Sequence, residues 1–263
     1  MTSSTRPAEE HVRSLLERDR VWCAYALADL EPRLAPLATW ILGAEAVLLV
    51  FRGLTPPLLF AHGDPAEVEA LADGVPPGRY QYGLLATHRA RLAPRLRFSR
   101  EVQMWRMVLR PERFPVGEAE AGIERLGTGD LAALYELFDD HPDRPDSFEP
   151  SQLEDGVFFG VRQEGKLVAV AGTHVVAPGA GVAAVGNVFT RPSFRGRGLA
   201  RRATNAVVAE LLRRQLRTIV LNVARDNAAA LTLYRRLGFL PFCGYYEGVA
   251  ELSGSRPQAP QAP

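Results

Sequence analysis

A strand, a turn with two glycines and a helix follow one another in VGNVFTRPSFRGRGLARRATNAVVAEL, residues Val185–Leu211. An apolar run ends at Thr190, and from about Gly198 onward apolar residues recur at helical spacing. The first turn of a helix offers N–H groups without partners and the positive end of its dipole. Glycines allow the backbone to approach a ligand closely. With arginines on both sides, the stretch predicts a cradle of backbone amides for a phosphate group.

Two common phosphate-binding motifs do not fit this stretch. No Gly-Lys-Ser/Thr follows the glycines, which excludes a P-loop, and Gly196 with Gly198 falls short of the three glycines of the dinucleotide motif. The turn also follows a run of several strands rather than the first strand. The residues alone leave a second interpretation open, in which the glycines serve only the turn geometry of an arginine-rich helix start.

The elements around the turn predict an α/β (α+β) fold with a mixed, mostly antiparallel sheet flanked by helices. Two strands joined at Gln163-Glu164-Gly165 read as a hairpin. A third strand, the helix after Gly198 and the buried strand TIVLNV then form a β-α-β crossover. A further helix, NAAALTLYRRLG, and closing strands over FLPFCGYYEGVAEL complete the pattern.

The domain organisation predicted from composition has three parts. Residues 1–115 form a smaller α/β domain, with a helix capped by Asp64 and stopped near Gly74. Residues 116–252 form the larger domain, after a stretch rich in Pro, Gly and charge. Residues 253–263, rich in Pro, Ala and Gln, are predicted to be a disordered tail.

Composition excludes several classes of function. The chain has 263 residues and a net charge of +1, which gives no general attraction to nucleic acid or to an anionic membrane. The longest apolar stretch, Trp40 to Phe51, is too short to span a bilayer. Cys23 and Cys243 lack metal-binding spacing, so no metal site is expected. We expect reduced thiols in a cytoplasmic protein, although a disulfide stays open.

Two signatures in order resemble the GNAT superfamily of acyl-CoA-dependent N-acyltransferases. The first is RGRGLA at residues 195–200, and the second is NAAALTLYRRLGF, which begins at Asn227 and includes Tyr234. The resemblance covers about Gly117 to Leu252. It implies acetyl-CoA as co-substrate, bound where two parallel strands of the sheet splay apart. For residues 1–115 we hypothesise a degenerate copy of the same fold without a pyrophosphate turn.

The resemblance carries over to individual positions. The predicted contacts to the pyrophosphate come from Arg195, Gly196, Arg197, Gly198, Leu199 and Ala200. Val188, Phe189 and Thr190 would lie beside the pantetheine arm, and Asn227 would contact the cofactor or act as a plain helix cap. Tyr234 is the predicted acid that protonates the leaving thiolate. The Val188 N–H is the candidate that polarises the thioester carbonyl.

The general base is not identified by the sequence. The third strand, Val182 to Thr190, carries neither a carboxylate nor a histidine, and Asn187 there would position only a water. The candidates elsewhere are His174, Glu149, Glu154 and Asp155, for each of which a structural or solvated role is the simpler interpretation. Asp139, Asp140, Asp143 and Asp146 are interpreted as a solvated loop, with attraction of a cationic amine as the alternative.

Three functions are compatible with these motifs and with the resemblance. The leading one is an N-acetyltransferase that moves an acetyl group from acetyl-CoA to a primary amine of a small molecule or amino-acid derivative. The second acetylates a protein or peptide N-terminus. The third is a non-catalytic acyl-CoA sensor, which the missing carboxylate favours and Tyr234 disfavours. We expect no nucleic-acid or membrane partner, and a monomer or homodimer.

Overall fold

The computed structural model describes residues 5–115, 122–139, 141, 144–145 and 148–254. These residues form two compact units. Unit 1 contains residues 5–106 and 243–254, and unit 2 contains the described residues between Met107 and Phe242. The domain boundary that the sequence predicts after residue 115 is not tested by this division into units, and it stays a prediction. Most of the predicted disordered tail lies outside the described residues, as do Asp140, Asp143 and Asp146.

Unit 1 begins with two helices and a meander of strands. Its elements are α1 (Thr5–Glu17), α2 (Ala24–Ala28), β1 (Ala38–Leu42), β2 (Ala46–Phe51), β3 (Leu58–Gly63), α3 (Pro65–Leu71), β4 (Gly78–Leu85), α4 (Ala86–Leu92) and β5 (Leu96–Leu109). The unit boundary falls inside β5. Strands β1, β2 and β3 pair antiparallel, and β3 pairs parallel with β4 across the α3 crossover.

Unit 2 carries the segment that the opening stretch predicts. Its elements are β6 (Glu124–Leu126), α5 (Leu131–Phe138), α6 (Gln152–Asp155), β7 (Phe158–Gln163), β8 (Lys166–Ala177), β9 (Val182–Thr190), α7 (Leu199–Arg213), β10 (Thr218–Ala224), α8 (Ala228–Arg236) and the start of β11 (Phe239–Leu252). The sheet order is β10-β9-β8-β7-β6, antiparallel except for the parallel pair β9–β10. This confirms the predicted mixed, mostly antiparallel sheet flanked by helices.

The predicted hairpin is present between β7 and β8. Gln163 pairs with Lys166, so Glu164 and Gly165 alone form the loop. Both have positive φ, 51° and 77°, as the favoured two-residue hairpin turn requires. The turn fixes the register of the two strands that lead to β9.

The C-terminal strand differs from the expectation of several closing strands. β11 is continuous over 14 residues, and its part from Tyr245 to Leu252 pairs antiparallel with β4 in unit 1. Gly248 lies inside this continuous strand, where it permits close packing. A Cβ there would stand 1.8 Å from the Arg100 carbonyl oxygen. A glycine in a strand can mark a close backbone approach as well as a turn.

Each unit has its own apolar core. In unit 1 a cluster that includes Leu48, Leu59, Val68 and Tyr82 packs between the sheet and α3. In unit 2 a cluster around Phe158 joins α5 and α6 to the sheet, and a second one joins Leu199 of α7 to Val161. Full burial of such side chains contributes roughly 1.5–3 kcal/mol each.

Candidate active site

The sheet of unit 2 opens between its two parallel strands. The β9–β10 ladder pairs four residues and ends at Val185 and Leu221. Both strands nevertheless continue, to Thr190 and to Ala224. The backbone from Gly186 to Thr190 therefore leaves its neighbour and presents a free strand edge. Such an edge can pair with an extended ligand that carries amide groups.

A β-bulge accompanies the separation. Gly186 pairs with Gly172 and Phe189 with Val170, so two residues of β9, Asn187 and Val188, lie opposite one residue of β8. Asn187 adopts a left-handed conformation with φ of 52° and is 3% exposed. A bulge bends its strand and increases the local twist. The Gly-Asn pair at 186–187 is the sequence signal that was missed, because both residues favour irregular backbone.

Side-chain hydrogen bonds fix the orientation of the bulged asparagine. The Glu149 N–H donates to Gln152 Oε1 over 3.2 Å, and Asn187 Nδ2 donates to the same oxygen over 2.8 Å. Asn187 Oδ1 is buried without a partner among the described residues, and so are Thr190 Oγ1 and Asn222 Oδ1. Orphaned buried acceptors carry a free-energy cost. Three of them on β9 and β10 fit a ligand that brings N–H donors, as a pantetheine arm does.

The turn after β9 has the geometry of an anion site. Gly196 and Gly198 have φ of 78° and 73°, and Gly198 is the N-cap of α7 without a side-chain cap. A Cβ on either glycine would meet nothing within 4 Å, so positive φ rather than crowding requires glycine here. Among the described residues, no acceptor takes the N–H groups from Gly196 to Ala200. These N–H groups without acceptors lie at the positive end of a 15-residue helix.

Arginine side chains surround this turn while backbone carbonyls hold them. Arg195 Nε donates to the Thr190 carbonyl over 3.1 Å, and Arg197 Nη2 donates to the Ser193 carbonyl over 3.3 Å. The Arg197 guanidinium also lies 5.1 Å from the centre of the Phe194 ring. Their charge is thus held near the helix start, where it adds to the attraction for an anion.

The second signature lies at the same edge of the sheet. The carboxyl ends of parallel strands meet at one edge, which brings the turn after β9 and the turn after β10 to the same side. There Asn227 Oδ1 accepts from the Ala230 N–H over 3.0 Å and caps α8. The capping role is therefore real, and contact with a cofactor remains a prediction.

Tyr234 occupies a protected position on α8. Its side chain is 8% exposed, and its ring packs edge-on against Phe239 with centroids 6.1 Å apart. Burial raises the pKa of Tyr234 to about 12. The phenol consequently keeps its proton at neutral pH, which is the state a proton donor needs.

The four candidate bases occupy different environments. Glu149, Glu154 and Asp155 are exposed, on α6 or just before it. His174 is half-buried on β8, and its imidazole fills the space where a Cβ of Gly186 would stand. His141, which sequence analysis did not consider, packs edge-on against Phe189 with ring centres 5.3 Å apart. It had no motif to mark it.

Two kinds of feature are absent from the part of the chain that the structure describes. No group of three or more His, Cys, Asp or Glu side chains is arranged to hold a metal ion. None of its helices is both long and apolar enough to cross a membrane.

Comparison with known proteins places this geometry in a family. The sequence model of the acetyltransferase (GNAT) family matches residues 129–239. The chain is 34% identical over 120 residues to the ribosomal protein bS18-alanine N-acetyltransferase of Escherichia coli K12, a match that covers 44% of this chain and 79% of that enzyme. It is 29% identical over 201 residues to the mycothiol acetyltransferase of Saccharomonospora viridis, covering 69% of this chain and 60% of that protein.

The fold has solved counterparts over nearly the whole chain. A GNAT-family acetyltransferase from Novosphingobium aromaticivorans superposes with a TM-score of 0.61 at 23% identity, covering 87% of this chain and 96% of that one. At this identity the likeness concerns the fold. Together with the bS18-alanine N-acetyltransferase match and the two signatures on the opened sheet, it leads to one conclusion: the chain belongs to the GNAT family of acetyltransferases and is an acyltransferase enzyme.

Proposed function

We propose that the enzyme transfers an acetyl group from acetyl-CoA to a primary amine of a small molecule or amino-acid derivative. The observation that carries this proposal is the opening of the β9–β10 pair directly before a turn with unpartnered amides. A diphosphate on those amides places the thioester-bearing arm along the free edge of β9. The edge then offers strand-like hydrogen bonds to the arm, from Val188 to Thr190.

The residues of this chain divide the reaction as follows. Backbone N–H groups from Gly196 to Ala200 hold the pyrophosphate, with Arg195 and Arg197 adding charge. The Val188 N–H, at the bulge, polarises the thioester carbonyl and stabilises the oxyanion. Tyr234 donates the proton that the leaving thiolate takes.

The length over which the chain matches one relative supports a small-molecule acceptor. The match to the mycothiol acetyltransferase of Saccharomonospora viridis runs over 201 residues, more than unit 2 contains, so it includes part of unit 1. The match to the bS18-alanine N-acetyltransferase covers 120 residues. That second relative supports an N-terminal alanine of a protein or peptide as the alternative acceptor.

Residues 1–115 are proposed to contain a degenerate copy of the same fold. In both halves of the sequence an antiparallel strand pair leads to a β-α-β-α-β run, β3 to β5 and β9 to β11. The turn between β3 and α3 is only Asp64, whose carboxylate accepts from the Ala66 and Glu67 N–H groups over 3.0 and 2.9 Å. A negative side chain on those amides disfavours a phosphate there. We therefore expect one acyl-CoA per chain.

The proposed setting is a cytoplasmic monomer or homodimer without nucleic-acid or membrane partners. The net charge of +1 supports the absence of a nucleic-acid partner. Cys23 and Cys243 are free thiols, as a reducing compartment permits.

Thiol release from acyl-CoA tests the proposed function. Purified enzyme is assayed with acetyl-CoA and with longer acyl-CoAs, against small primary amines and a peptide beginning with alanine, and products are identified by mass spectrometry. We expect saturable, amine-dependent release from acetyl-CoA and a binding stoichiometry near one. Tight binding of acetyl-CoA without turnover on any amine supports the sensor instead, and no binding contradicts the site itself.

A further inference from the structure

Two bulges on facing strands surround a pair of glycines at the opening of the sheet. One is the Asn187–Val188 bulge of β9. The other lies on β8, because Thr173 pairs with Val185 and Val175 with Ala184, which leaves His174 as the extra residue. Between them Gly172 pairs with Gly186. Bulges next to active sites often redirect a side chain, and here the redirected side chain is an imidazole.

The position of this imidazole follows from Gly186. A Cβ on Gly186 would lie 2.1 Å from His174 Nε2 and 2.3 Å from Cε1, so the Nε2 edge of the ring covers the glycine. Gly186 is the first residue of β9 beyond the last ladder pair with β10, at Val185. The Nε2 edge therefore lies at the start of the gap that the proposed function assigns to the thioester arm.

The paired glycines Gly172 and Gly186 also show on which face of the sheet the His174 ring lies. Residues directly paired across antiparallel strands share a face, and a Cβ on Gly172 would meet the Phe158 ring at 2.2 Å. His174 consequently lies on the face of Phe158, where α5 and α6 pack. Leu199 of α7 packs with Val161, three residues along β7 from Phe158 and thus on the opposite face.

The two faces give the two substrates separate approaches. The phosphate turn begins α7, on one face, while His174, Asn187 and α6 lie on the other. A thioester arm that enters from the α7 side reaches the α6 side only where β9 and β10 have separated. An amine approaching from the α6 side then meets the carbonyl beside the imidazole.

We propose, on the basis of the proposed acetyltransferase function, that His174 is the general base. Neutral His174 takes a proton from the amine as its nitrogen attacks the thioester carbonyl carbon. The new C–N bond forms, the C–S bond breaks with its electrons on sulfur, and the thiolate takes a proton from Tyr234. The Tyr234 phenolate regains its proton from solvent, and His174 releases its proton there.

Other titratable groups lie on the helices α5 and α6, which pack on the same face as His174, and on the chain between these helices, and one of them provides a control residue. The described ones on α5, α6 and the chain between them include Tyr135, Asp139, His141, Glu149, Glu154 and Asp155. The cations there and at the end of β9 are Arg144 and Arg191, and Arg191 ion-pairs with Glu136 over 3.7 Å. His141 is the matched control, since it is the same residue type on the same face but against Phe189.

The test compares His174→Gln with His141→Gln as pH-rate profiles of kcat/KM for the best amine of the thiol-release screen. In wild type, kcat/KM is expected to fall on the acid side of the profile, because a base that already carries a proton cannot take one from the amine. His174→Gln should lower kcat/KM about 100-fold and abolish this fall at acid pH, the acid limb of the profile. His141→Gln should retain the acid limb. The Kd for acetyl-CoA by calorimetry should stay within about twofold in both variants.

A second variant separates a catalytic role from a structural one. His174→Ala vacates the space over Gly186, so added imidazole should restore part of the lost rate without altering the melting temperature. Wild-type turnover is the baseline for the proposed function. Given that baseline, an unchanged acid limb in His174→Gln, or its loss in His141→Gln alone, overturns the assignment of His174.

Discussion

A carboxylate placed at the N-cap of α7 tests the phosphate turn most directly. Unit 1 provides the precedent, because Asp64 occupies two amides at the start of α3 with its own side chain. Gly198→Asp puts a carboxylate at the corresponding position of α7, and Gly198→Ala adds a side chain without charge. Both substitutions meet the same backbone conformation, with φ of 73°, and neither meets a steric obstacle.

The expected magnitudes differ for stability and for binding. An L-residue in the left-handed region costs about 1–2 kcal/mol, and aspartate, whose short polar side chain can form local hydrogen bonds, tolerates this region better than alanine. Two like charges at about 4 Å in a water-like medium repel by about 1 kcal/mol. Against two phosphate charges the aspartate should therefore weaken binding by about 2 kcal/mol relative to alanine, or about 30-fold in Kd.

Calorimetry with acetyl-CoA at low and high salt measures this difference. The gap between the Asp and Ala variants should narrow at about 1 M salt, where the Debye length falls to about 3 Å. Urea unfolding should show Asp at least as stable as Ala, which separates lost binding from lost folding. Equal affinities for acetyl-CoA in the two variants at low salt would refute the placement of the pyrophosphate at this turn.

Three further predictions concern other parts of the chain. Tyr234→Phe should lower kcat at least about 100-fold with unchanged Kd for acetyl-CoA, and a normal kcat removes Tyr234 from the mechanism. Asp64→Ala should lower the free energy of unfolding by about 1 kcal/mol in urea without affecting acetyl-CoA binding. Burial raises the pKa of Asp29 to about 8, against about 3.9 in an unfolded chain. Between these values the folded state holds the extra proton, so wild-type stability should fall as pH rises, by up to about 1.4 kcal/mol per pH unit. Asp29→Asn should flatten that slope and be the more stable protein at about pH 8; parallel slopes for the two proteins contradict this account.

Local signals explain which elements the sequence predicted. Helical spacing and the glycines around α7, the Asp64 cap and the hairpin turn at Glu164-Gly165 all act within a few residues, and the structure has each of them. The short helices α2 and α4 and the strand β1 were missed, since few residues carry their pattern. The continuity of β11 was missed because Gly248 meets the Arg100 backbone, a residue distant in sequence.

The sequence by itself determined the family, the β-α-β segment and the position of the glycine turn before α7, because glycine conformation, helix starts and signature spacing are properties of neighbouring residues. Only the tertiary structure decided where the β9–β10 ladder ends, how Glu149 and Gln152 orient Asn187, and that His174 covers Gly186. These depend on register between strands, and one extra residue in a ladder redirects a side chain without leaving a pattern in the sequence.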